Sequence, residues 1–87
     1  MAAEVTSELR QVVREKREND PQDDVPVIVT LSRDADLDTL RETGLKVRLS
    51  YENVAAVSGT IPAAKLEALV EASGVKRIEY DGEMHAF

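Results

Sequence analysis

Apolar positions along the chain change period several times, and each change marks an element. Over residues 3–18, Val5, Leu9, Val12 and Val13 fall at spacings of four, three and one. That is a narrow apolar stripe among charges and predicts an amphipathic helix. Asn19-Asp20-Pro21 stops it, because proline disfavours helix in the residue before it and Asn and Asp prefer turns, so Gln22-Asp23-Asp24 reads as a linker. From Val25 the period becomes two, with Val25, Val27, Val29 and Leu31 on one face of a strand and Pro26, Ile28 and Thr30 on the other. Ser32 and Asp34 are candidate N-caps for a short helix holding Leu37 and Leu40, and Gly44 is its natural stop. Leu45, Val47, Leu49 and Tyr51 then alternate with Lys46, Arg48 and Ser50, which predicts a second strand. A turn at Glu52-Asn53 leads to a third, where Ala55, Val57, Gly59 and Ile61 alternate with Ala56, Ser58 and Thr60. Pro62 suits the first turn of a helix with Leu66, Leu69 and Val70 inward, which Ser73-Gly74 ends. Residues 75–81 form a last strand with Ile78 and Tyr80 on one side and Arg77, Glu79 and Asp81 on the other.

This order predicts an α+β fold of the ferredoxin-like βαββαβ kind: a four-stranded antiparallel sheet, two helices on one face, and an extra N-terminal helix. The division along the chain is an N-terminal helix and linker (1–24), the sheet domain (25–82) and a tail (83–87). With the odd residues of the first two strands inward, the uncovered face carries Ile28, Thr30, Lys46, Arg48, Ser50, Ala56, Ser58, Thr60, Arg77, Glu79 and Asp81. Such a small, polar face suits either close docking of another rigid surface or plain solvation.

Composition narrows the chemistry. Eighty-seven residues support one domain with a modest core. Without cysteine, and with one histidine, there is no disulfide, no thiolate nucleophile and no Cys-rich zinc site. A net charge of -6, with 11 basic residues scattered among 17 acidic ones, argues against nucleic acid, and no outward aromatic is placed to stack a base. No apolar run reaches membrane-spanning length, and no signal peptide is visible. Asp34, Asp36 and Asp38 alternate like a calcium loop, but Thr39 stands where glycine is required and Leu45 where the closing glutamate is required, so they read as helix caps. His85 has no nucleophile or second ligand in any recognisable motif. The expectation is therefore no catalytic residue, no metal, no cofactor and no enzyme.

The last strand and tail, Val75-Lys76-Arg77-Ile78-Glu79-Tyr80-Asp81-Gly82-Glu83-Met84-His85-Ala86-Phe87, resemble the end of the subtilisin propeptide family. Val27-Ile28-Val29-Thr30-Leu31, Ala56-Val57-Ser58-Gly59-Thr60-Ile61 and the helix with Leu66 and Leu69 before Gly74-Val75 resemble it too, in the same order, so the likeness covers residues 25–87. The resemblance implies an inhibitor of a subtilisin-like serine protease, whose open sheet face packs on two parallel helices of the enzyme. Glu79 and Asp81 match the paired carboxylates that cap those helices, whose N-termini favour anions. The tail would run along the substrate cleft as a bound product, with Phe87 in S1, Ala86 near the catalytic histidine, Met84 in S4 and His85 outward. Gly82 would let the tail leave the domain.

The N-terminal helix departs from that family and has no implied role. A free-standing inhibitor would be cytoplasmic, and one released from a protease precursor would be secreted and would also act as an intramolecular chaperone. The alternative from another class is a ligand-binding regulatory domain of the same fold acting through a dimer interface.

Overall fold

The computed structural model describes residues 3–33, 35–51 and 55–81. Along them run β1 (Glu4–Val5), α1 (Ser7–Asn19), β2 (Asp24–Leu31), α2 (Leu37–Glu42), β3 (Lys46–Tyr51), β4 (Ala56–Pro62), a 3₁₀ turn (Ala63–Lys65), α3 (Leu66–Val70) and β5 (Val75–Tyr80). The class is α+β, with three helices and a five-stranded sheet in the order β1-β5-β2-β4-β3. The sheet departs from the expected four antiparallel strands. Its extra strand is two residues long and pairs parallel with β5, Glu4 beside Arg77 and Val5 beside Ile78. Val5 therefore belongs to a strand rather than to the helical stripe, and α1 begins at Ser7 instead of near residue 3. The cause is long-range pairing. Ala3 N–H donates to the Val70 carbonyl at the end of α3 (3.1 Å) and Thr6 N–H to the Ile78 carbonyl of β5 (3.2 Å), so the segment gives up local helical bonds for partners distant along the chain.

Helix boundaries follow local chemistry. α1 ends at Asn19, where Asp20 N–H still reaches the Lys16 carbonyl and Pro21 follows. Lys16 and Arg17 in its last turn suit the negative end of the helix dipole. The N-cap of α2 is Asp36, whose carboxylate accepts from Asp38 N–H at 2.9 Å, rather than Ser32; Asp34 lies outside the described residues. Gly44 follows that helix at φ 105°, a backbone that glycine adopts without a Cβ clash. Pro62 ends β4 and caps the 3₁₀ turn instead of sitting inside a helix.

One core lies between the sheet and the helices. Val25, Val27 and Val29 of β2, Val57 and Ile61 of β4 and Ile78 of β5 meet Leu9 and Val13 of α1, Leu40 of α2 and Leu66 and Leu69 of α3. The alternation read in β2 is thus the observed one, its odd positions buried. Leu9 and Val13 bring the N-terminal helix into this core.

β3 breaks the expected alternation. Val47 pairs with Gly59 but Leu49 pairs with Ser58, so Arg48 is an extra residue with no partner on β4, a β-bulge. Side chains after a bulge change faces. Leu49 and Tyr51, expected beside Leu45 on the core side, share rows with Ser58 and Ala56 on the uncovered face and stand 51% and 41% exposed. Ser50, expected outward, instead pairs with Val57 of the core row. The bulge sits against Gly59, where a Cβ would lie 2.1 Å from the Lys46 carbonyl oxygen and 3.1 Å from Val47 Cα. Only a residue without a side chain admits β3 that closely.

Candidate functional site

Three rows cross the uncovered face of the sheet. Glu79, Ile28, Ser58 and Leu49 form one, and Arg77, Thr30, Ala56 and Tyr51 the next. In the third, Asp81 N–H donates to the Pro26 carbonyl (3.0 Å), which carries the ladder one residue past Tyr80, and Pro26 faces Thr60 and then Lys46. Acids therefore edge the face on the β5 side, small residues fill its middle, and two large apolar side chains stand on β3. Ser58, only 4% exposed, is covered between Ile28 and Leu49 on either side of it. The middle of the face carries mostly short side chains, Thr30, Ala56, Ser58 and Thr60, which let another surface come close.

Glu79 and Asp81 lie on the same side of β5, two residues apart along one strand. Glu79 is half-buried, and its Oε1 stands 3.8 Å from Arg77 Nη2, while Arg77 Nε stands 3.8 Å from Glu4 Oε2. These are long, wet ion pairs, worth at most about 1 kcal/mol, so Arg77 steadies Glu79 without withholding it from a stronger donor. Met84, His85, Ala86 and Phe87, with Gly82, lie outside the described residues.

Leu49 and Tyr51 are the site residues that alternation alone assigns to the wrong face. Gly59 inside an otherwise regular strand was the signal available, since such a glycine often marks a bulge or a close backbone approach.

Elsewhere the polar groups serve the fold. Lys16 and Asp23 form an ion pair that ties α1 to the segment entering β2. Its hydrogen bond holds the Asp23 carboxyl below the ordinary carboxylate range and the Lys16 ammonium above its own. Arg17 Nε donates to the Ala63 carbonyl (3.3 Å), and its guanidinium stands 3.8 Å from Glu67. A groove of about 230 Å³ between α1 and α3, lined by Arg10, Arg14, Glu18 and Glu67 over Val13 and Leu66, mixes both charge signs. Among the described residues no three of His, Cys, Asp and Glu gather to hold a metal ion, and no helix is long and apolar enough to cross a membrane.

Comparison with family models, with curated proteins and with solved structures finds no match for this chain. The propeptide resemblance therefore rests on the residues quoted above.

Proposed function

We propose that the chain is a propeptide-type inhibitor of a subtilisin-like serine protease, binding through the uncovered sheet face and through a product-like tail of Met84, His85, Ala86 and Phe87. Joined to its protease, the same domain would also act as an intramolecular chaperone. The observation that supports this reading best is the register of β5, with Glu79 opposite Ile28 and Asp81 opposite Pro26 on one face. Two carboxylates so arranged can accept hydrogen bonds from the unpaired N–H groups at two helix N-termini. The antiparallel order β5-β2-β4-β3, with α2 and α3 between its strands, supports the finer ferredoxin-like description, to which β1 and α1 are additions.

The direct test is inhibition of a subtilisin by the intact chain, with the apparent constant followed over hours. Competitive inhibition supports the proposal, and its persistence marks a dedicated inhibitor where decay marks a degradable propeptide. No inhibition at micromolar chain removes the proposal. Replacing Glu79 and Asp81 together by Ala is expected to raise the inhibition constant at least tenfold, because each charge-assisted hydrogen bond contributes roughly 1.5 to 3 kcal/mol. The urea midpoint should hardly move, since both acids are at least partly exposed. Equal inhibition by the double variant would remove the helix-capping role. Leu49→Ser with Tyr51→Ser is expected to weaken binding by on the order of tenfold, from the apolar area no longer buried against the partner. An unchanged constant would take the β3 end of the sheet out of the interface.

A further inference from the structure

We infer that residues 3–19 are a built-in clamp that fixes β5, and with it Glu79 and Asp81, before any partner is met. The inference rests on the inhibitor reading and adds how that inhibitor is held ready. Without β1, the last strand would be an edge with one neighbour, β2. With it, Arg77 and Ile78 are flanked on both sides. The clamp is anchored at each end: Ala3 N–H reaches the Val70 carbonyl at the start, Thr6 N–H reaches the Ile78 carbonyl next to the acids, and Arg17 reaches the Ala63 carbonyl at the far end of α1. Between these points Leu9 and Val13 are buried in the common core.

A small sheet domain is stable by a narrow margin, so the two buried side chains of α1 are a material part of its core. An edge strand held on one side only opens locally at low cost. If β5 frayed in the free chain, Glu79 and Asp81 would have to be ordered during binding, and that ordering opposes association. The clamp removes this step. Thr6 is then a positioning residue, acting on the acids through the Ile78 carbonyl.

Thr6→Pro isolates the effect. Thr6 already holds φ −67°, the angle proline imposes, and the residue before it is extended, as proline prefers. Its hydroxyl is buried with no hydrogen-bond partner among the described residues, so the substitution acts on the bond to Ile78, removing the N–H and setting a ring carbon in its place against that carbonyl. Helical content by circular dichroism should stay the same. The Asp81 amide, which donates to Pro26, should exchange with solvent on the order of fivefold faster, while Thr6→Ala, which keeps the N–H, should leave it unchanged. Leu9→Ala, which loosens α1 from the core, should lower the urea midpoint and slow the onset of subtilisin inhibition. Unchanged Asp81 exchange in Thr6→Pro, or unchanged onset in a destabilised Leu9→Ala, would overturn the clamp. Exchange and unfolding are read without protease, so a chain that inhibits no subtilisin would remove the inhibitor reading and leave those readouts to decide the clamp by themselves.

Discussion

A chain cut after Gly82 is expected to lose about a hundredfold to ten-thousandfold in subtilisin inhibition while keeping its fold. Met84 and Phe87 are the apolar anchors of the proposed tail, and enclosing each in a protease subsite contributes roughly 1.5 to 3 kcal/mol. The buried core residues of the last strand are Val75 and Ile78, with Tyr80 packed against them, and these are kept in the cut chain. The measurement is a pair of inhibition constants, intact and cut, beside a pair of urea midpoints. Equal constants would end the tail proposal and leave inhibition to the sheet face. A collapsed midpoint would give residues 83–87 a structural part instead.

Gly59→Ala is expected to have the largest effect on stability of any single methyl addition to the sheet. The new Cβ would sit 2.1 Å from a backbone oxygen and 3.0 Å from its carbon, neither of which can rotate away as a flexible side chain could. Relief requires β3 to move off β4. Overpacking of this kind costs about 1 to 3 kcal/mol, a large share of the stability of so small a domain. The expected result is a clear fall in the urea midpoint together with weaker inhibition, because Leu49 and Tyr51 ride on β3. A midpoint equal to that of the parent chain would mean that the two strands part there without cost.

Where burial and local chemistry act together, the sequence is easy to read. Val25, Val27 and Val29 alternate and are buried, Asn19-Asp20-Pro21 ends α1, and Gly44 follows α2 with positive φ. From Arg77 onward the faces of β5 also follow a period of two, so the placement of Glu79 and Asp81 on one side was legible, although Lys76 before it is an extra residue in the pairing with β2. Two features were not. β1 is too short to have a period, and only pairing with β5, more than seventy residues away along the chain, makes Glu4 and Val5 a strand. The alternation of Leu45, Val47, Leu49 and Tyr51 is regular and yet misleading, because the bulge at Arg48 depends on the backbone of a neighbouring strand. In both, a tertiary contact decides what local pattern cannot.

Because Arg48 is one residue more than the pairing needs, what β3 displays is set by counting as much as by chemistry. Deleting Arg48 would make Val47 opposite Gly59 and Leu49 opposite Ser58 regular neighbours, so Leu49 and Tyr51 would stay outward and only the bulge would go. The bulge thus lets β3 carry one residue more without turning its apolar pair inward, whereas a pairing that took Arg48 into register opposite Ser58 would put Arg48 and Ser50 on the docking face instead.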